Sequence, residues 1–293
     1  MAVGILHPRG FAAAGVTAGI KSSGRPDVAL VAADATVPAA AVFTRSATAA
    51  PPVLLSRAHS ANGAIRAVLV QSGNANAATG EQGMRDAERM AALVADGLGC
   101  PASAVLIAST GVIGVPLPMD RVEAGIAAAL AELGDGVEAA AAAAEAILTT
   151  DAAAKTAERS VATALGEIRV GGMAKGAGMI RPDLGTMIAV VTTDAPLDAG
   201  QCDRVLRDAV DATFNRITVD GCTSTSDMVA LLASGAVAGR LDGAGEQLVA
   251  DAVRAVCEEL ALQIVRDGEG AQRIARWTVA GAADDAAARR LAY

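Results

Sequence analysis

Short apolar runs closed off by turn residues constrain this chain most. VALVA at 28–32, AVLVQ at 67–71, AVLIA at 104–108 and MIAVV at 187–191 are too short for core helices. Each is rich in β-branched or aliphatic residues and bounded by Gly, Pro, Ser or Asn, so each is expected as a buried strand. AAVF at 40–43 and IARWTV at 274–279 are further strand candidates. Helical periodicity fills much of the space between, at 81–96, 119–133, 137–148, 198–214 and 246–266, with a last helix from about Ala283. Thr79 with Gln82, and Asp198 with Gln201, have capping-box spacing. The apolar segment 228–233 is expected as a helix capped by Ser224 or Thr225. Strands interleaved with helices indicate an α/β or α+β fold.

The densest chemistry lies in GGMAKGAGMIRPDLGTMIAVVTTDAPL at 171–197. It opens with a glycine-dense loop that carries Lys175, passes an Arg181-Pro182-Asp183 turn, and enters the run at 187–191 through Gly185-Thr186. On the dipeptide alone the plainer reading is an ordinary strand threonine, a residue favoured in strands. The chemical reading is cleavage of the Gly185–Thr186 bond. Thr186 would then be N-terminal, and its α-amine, with a pKa near ~8, would serve as base for its own hydroxyl. STGVIG at 109–114 ends a strand in a glycine turn. That is either a plain β-turn or a display of backbone N–H groups suited to an oxyanion.

Composition removes other chemistries. Hydrophobic residues make up 53% of the 293 but aromatics only 2%, so the core must be aliphatic and stacking platforms for bases are nearly absent. A net charge of −8 argues against nucleic acid or an anionic membrane as partner. Uncharged windows such as 104–119 contain Gly, Ser, Thr and Pro, so no membrane-spanning helix is expected. No secretory signal is evident at the N-terminus. Cys100, Cys202, Cys222 and Cys257 are far apart, and His7 and His59 are the only histidines, so no metal site and a reducing compartment are expected. Neither a phosphate-binding G-x-x-x-x-G-K-[ST] loop, nor a dinucleotide fingerprint, nor a G-x-S-x-G elbow is present. The segment 137–148 is almost polyalanine, a strong helix former that buries little surface and must pack close to its neighbour.

Taken together, several segments resemble one family. The 171–195 stretch is similar to the self-cleavage region of the ornithine acetyltransferases, the bifunctional glutamate N-acetyltransferases of arginine biosynthesis. SGNANAATG at 72–80, STGVIG at 109–114, VDGCTSTSD at 219–227, GIKSSGRPDVALV at 19–31 and VRDGEGA at 265–271 resemble its other signatures, in the same order. The resemblance implies an α/β fold shared with the DmpA aminopeptidases and related in mechanism to N-terminal nucleophile hydrolases. It implies self-cleavage into an α chain, 1–185, and a β chain, 186–293. The freed Thr186 would carry acetyl from N-acetylornithine to glutamate. No cofactor is implied, though acetyl-CoA serves some members as donor. A cytoplasmic heterotetramer of two α and two β chains is implied as well.

By residue, the resemblance assigns Thr186 as nucleophile, Thr110 and Gly111 as the oxyanion hole, and Thr149, Lys175, Thr186 and Glu269 as substrate-binding positions. A cation and an anion are what an amino-acid zwitterion requires. The chain departs from the family pattern at Gly185, usually alanine, and at Ser226, often asparagine. Family members also continue past the point corresponding to Tyr293, with further substrate contacts there, so a C-terminally truncated chain with impaired catalysis is one expectation. An amidohydrolase or aminopeptidase using the same kind of nucleophile is another.

Overall fold

A computed structural model describes residues 3–181 and 187–292. The Gly185–Thr186 pair and most of the expected turn before it lie outside these described residues.

The fold hangs on one long strand. After β1 (Phe11–Val16), β2 runs from Val28 to Phe43 and joins the two strand candidates at 28–32 and 40–43 into a single element. Its first half pairs antiparallel with β1 and with β3 (Ala64–Asn74). The register with β3 slips between Ala32 and Val37, and from Ala39 onward β2 pairs instead with β8 (Met228–Ala233). An irregularity of this kind bends a strand and raises its twist. The strand order is β4-β3-β2-β8-β7-β6-β5, with β4 at Val105–Val112, β5 at Lys155–Thr163, β6 at Gly166–Lys175 and β7 at Ile188–Thr193.

The bend at β2 lets the two halves of the sheet face each other. Val31, Val68, Val70 and Leu106 from one half meet Met173, Val190, Met228 and Leu232 from the other in a shared core. The outer face of the first half is covered by α2 (Gly80–Leu98) and α3 (Met119–Ala131), through Met90, Val94, Val122 and Ile126. The outer face of the second is covered by α5 (Ala199–Ala212) and α6 (Gly243–Arg266), through Leu206, Val210, Val253 and Leu260. The layers therefore run helix, sheet, sheet, helix. The polyalanine segment forms α4 (Val137–Ala146), and α1 is Pro51–Ser60. As expected, α4 packs backbone to backbone: a Cβ on Gly15 of β1 would stand 2.0 Å from the Ala142 carbonyl oxygen.

Several local expectations need correction. Residues 228–233 form a strand, not a helix, and all of its side chains are buried. Such a short apolar run has no period that separates the two forms, and here both edges are satisfied, by β7 and by β2. Ser224 accordingly caps no helix; its Oγ accepts from the Ser226 amide. Residues 274–279 form no strand: they pair with nothing among the described residues, and Trp277 is 84% exposed. The Thr79–Gln82 capping box is not made, because Thr79 Oγ1 donates to Asn76 and Gln82 reaches Asp86 instead. The Asp198–Gln201 box is present in full at the start of α5. The last helix, α7 (Asp285–Ala292), starts close to its expected place.

Candidate active site

Lys175 is not in a loop. It is the last residue of β6, and the glycines before it, Gly171 and Gly172, are strand residues. They are glycine because other groups crowd them. A Cβ on Gly171 would meet the Gly4 carbonyl oxygen at 1.9 Å, and one on Gly172 would press on Val256 and Leu260 at 3.0 Å. Lys175 is thereby carried to the strand end with its ammonium buried. In the β6–β7 ladder it stands opposite Ile188.

Two hydroxyls from distant parts of the chain meet this ammonium. Lys175 Nζ donates to Thr149 Oγ1 at 2.6 Å and to Thr110 Oγ1 at 3.3 Å. Because Thr110 accepts from the lysine, its own O–H proton is free to donate elsewhere. Burial pushes the Lys175 ammonium below its ordinary pKa; Asp151, Asp227 and Glu269 oppose this, while Lys155 adds to it.

The strand expected to stop at Ala108 runs on to Val112, so Thr110 and Gly111 are residues of β4 and not of a turn, opposite Ser72 and Gly73 of β3. The φ of Gly111 is +131°, and a Cβ would fall 2.3 Å from the Gly73 carbonyl carbon and 2.6 Å from the Asn74 nitrogen. The close approach is clasped by other bonds. Ala75 N donates to Val112 O, Gly114 N to Ala77 O, and Asn74 Nδ2 to the carbonyls of Val115 and Pro116. The polar segments at 72–80 and 109–114, separate in the sequence, thus meet as the paired ends of β3 and β4 and the loops that follow them. Asn76 and Ala78 within it have positive φ.

A buried ion network supports Thr149 and Lys175, and no motif pointed to it. Asp151 Oδ1 accepts from Lys155 Nζ and from the Gly176 amide, each at 2.7 Å, and Oδ2 accepts from the Thr149 amide at 3.0 Å. Lys155, 2% exposed, also binds Asp267 at 2.5 Å. Burial alone would raise the Asp151 pKa, but Lys175 and Lys155 hold it down to about 2. Asp151 and Lys155 lie four apart but not on a helix, so their spacing alone does not announce the pair.

Glu269 comes from the loop after α6. Its amide donates to Ala177 O at 2.7 Å, and its carboxyl lies where a Cβ on Gly178 would collide at 2.8–2.9 Å. Gly178 therefore leaves the room that this carboxylate occupies. Thr110, Gly111, Thr149 and Lys175 are brought together, with Glu269 beside the same strand end. Gly185 and Thr186 lie outside the described residues, but Met187 does not: its amide donates to Asp227 Oδ1 at 2.9 Å. Among the described residues no group of three or more His, Cys, Asp or Glu could hold a metal, and no helix is long and apolar enough to cross a membrane. A groove of about 860 Å³ between α1 and α5, lined by Phe43, Arg57 and Arg207 among others, contains none of Thr110, Gly111, Thr149, Lys175 and Glu269.

Comparison with known proteins gives concordant results. The model of the ArgJ family matches residues 12–293. The arginine biosynthesis bifunctional protein ArgJ of Symbiobacterium thermophilum is 49% identical over 298 aligned residues, spanning 100% of this chain and 73% of that relative. The crystal structure of ornithine acetyltransferase from Mycobacterium tuberculosis, complexed with ornithine, is 41% identical with a TM-score of 0.58, covering 63% of this chain and 95% of that one. An L-aminopeptidase D-Ala-esterase/amidase from Ochrobactrum anthropi, described as a variant of the Ntn hydrolase fold, is 15% identical with a TM-score of 0.56. It covers 90% of this chain and 86% of that one, a likeness of fold alone.

Proposed function

This chain belongs to the ArgJ family, and from that premise we propose that it transfers the acetyl group of N-acetylornithine to glutamate in arginine biosynthesis. The observation that carries the reading is the position of Lys175. Its buried ammonium touches Thr110 at the end of β4 and Thr149, and its backbone stands across the ladder from Ile188, two residues after Thr186.

The chain cleaves itself between Gly185 and Thr186, giving regions 1–185 and 186–293. Thr186 Oγ, with its own α-amine as base, attacks the acetyl carbonyl of N-acetylornithine. The proton taken by the α-amine passes to the leaving nitrogen, ornithine departs, and an acetyl ester remains on Thr186. The free amine of glutamate then attacks this ester. Its proton returns through the α-amine to Oγ, and N-acetylglutamate leaves. At each step the oxyanion is met by the Thr110 hydroxyl and the Gly111 amide, a type of donor whose removal costs roughly 3–4 kcal/mol. Lys175 and Glu269 supply the cation and the anion that the substrate's carboxylate and ammonium require, with Thr149 beside them. The scheme calls on no prosthetic group, and acetyl-CoA enters only as an alternative acetyl donor. The working assembly is a cytoplasmic heterotetramer of two α and two β regions.

The test is intact and peptide mass spectrometry on the purified chain with N-acetylornithine. The expected result is a new N-terminus at Thr186 and one acetyl group on it, both absent in Thr186→Ala. Cleavage that persists in that variant refutes the nucleophile assignment. Ornithine release equally fast without glutamate would make the chain an amidohydrolase.

A further inference from the structure

We propose that Asp227 is a positioning residue for self-cleavage and acyl transfer, acting through the backbone amide of Met187. The proposal rests on the acetyl-transfer reading above. The nitrogen that Asp227 Oδ1 holds at 2.9 Å is the one covalently bonded to the carbonyl carbon of Thr186. Any shift of that nitrogen is therefore passed to the nucleophile through the peptide bond itself.

The surroundings make Asp227 a rigid support. The parallel β7–β8 ladder begins at the pair Ile188 and Met228, and Met228 N donates to Met187 O at 3.1 Å. The Asp227 side chain thus closes the ladder at the point where backbone pairing stops. The segment before it is tied to the end of β2 and the start of α1. Thr44 N donates to Asp227 O at 3.2 Å, Thr44 Oγ1 to Ser224 O at 2.8 Å, and Ala50 N to Thr225 O at 2.8 Å.

The chemistry of the side chain also points beyond a plain cap. Asp227 is fully buried, and the hydroxyls of Ser224 and Thr44 act on its carboxyl beside the Met187 amide. Burial raises the acid to about 8, with the Met187 amide, the hydroxyls of Ser224 and Thr44, and Lys175 pulling the other way, so burial favours the protonated form. A neutral acid of this shape has a close mimic in asparagine, which also keeps an oxygen for the Met187 amide.

The experiment compares Asp227→Asn and Asp227→Ala with wild type. It measures the rate of self-cleavage, and then kcat and KM for N-acetylornithine. Asp227→Ala is expected to slow cleavage and to lower kcat by about 100-fold, the scale of a small misplacement of reacting groups. KM should stay within about twofold, because Lys175, Glu269 and Thr149 are untouched and uniform binding is kept. Asp227→Asn should restore both rates to within several-fold of wild type. If Asp227→Ala does not fold, Asp227→Glu replaces it. Its longer arm keeps the acceptor but displaces the amide, and the same kcat loss at constant KM is expected. Wild-type rates in the folded Ala or Glu variant overturn the proposal. So does a loss in Asp227→Asn as deep as in Asp227→Ala, or an effect carried by KM. A wild type that neither cleaves nor takes up acetyl refutes the acetyl-transfer reading and this proposal with it, whereas wild-type behaviour retained in Asp227→Ala refutes the role of Asp227 alone.

Discussion

Replacing Lys155 by methionine tests the charge network under the site. Methionine keeps most of the apolar stem and removes the ammonium. Asp151 then loses a partner at 2.7 Å and Asp267 one at 2.5 Å, in a place where Lys155 itself is 2% exposed. Removing one member of a buried ion pair costs about 3–5 kcal/mol, because the survivor is a buried charge without compensation. Asp151 keeps the amides of Thr149 and Gly176, with Lys175 at 4.0 Å, so the lower end applies and about 3 kcal/mol is expected at pH 7. The pKa supports the scale. Burial works to raise Asp151, yet Lys175 and Lys155 bring it from 3.8 to about 2. That difference corresponds to about 2 kcal/mol. The sign follows from proton binding: a depressed acid contributes stability above its unfolded pKa and loses it as the pH falls through the folded one. The gap between wild type and Lys155→Met should therefore be full at pH 7 and narrow as the pH drops from about 4 towards 2. Urea unfolding across that range is the assay. The pair Lys155→Met with Asp151→Asn should recover part of the loss, since no bare charge remains. A loss below about 1 kcal/mol, typical of exposed pairs, or one independent of pH, would refute the reasoning.

Gly111→Ala should lose about 1–3 kcal/mol from its φ alone, with the overlap on Gly73 added, and should displace the end of β4. Unchanged thermal stability and acetylation would show that the strand end adapts. Thr110→Val keeps the shape without the hydroxyl and should slow acyl-enzyme formation by about 100- to 1000-fold, read by quenched-flow mass spectrometry. An unaltered rate would reduce Thr110 to a strand residue. Asp227 should make the wild type less stable as the pH rises. Burial lifts its folded pKa to about 8, above the unfolded 3.8, so the folded state binds the extra proton between these values. Denaturant titrations at pH 6 and 8 should show this slope, at most about 1.4 kcal/mol per pH unit, and Asp227→Asn should remove it.

Much of the local structure is written in neighbouring residues. The runs at 67–71 and 104–108 are strands because β-branched and aliphatic side chains sit between turn residues, and both lie buried in the sheet. The Asp198–Gln201 box closes within one helical turn, so spacing alone announced it. The polyalanine segment had to pack closely, having little else to bury, and Gly15 of β1 receives it. Lys175, Thr110, Gly111, Thr149 and Glu269 were legible through resemblance, which carries spatial information that no single segment holds.

The tertiary structure decided whatever depends on a partner far along the chain. Residues 228–233 are apolar enough for helix or strand, and only the free edges of β7 and β2 make them a strand. Residues 274–279 look like a strand yet meet no edge among the described residues. Lys155 is buried only because Asp267, 112 positions away, closes over it. Asp227 reads as part of a polar turn until β7 arrives and presents the Met187 amide. Propensity and capping act over a few residues and are read in order. Strand pairing and burial of charge are settled by which segments the bend at β2 brings face to face, and no stretch of sequence contains that by itself.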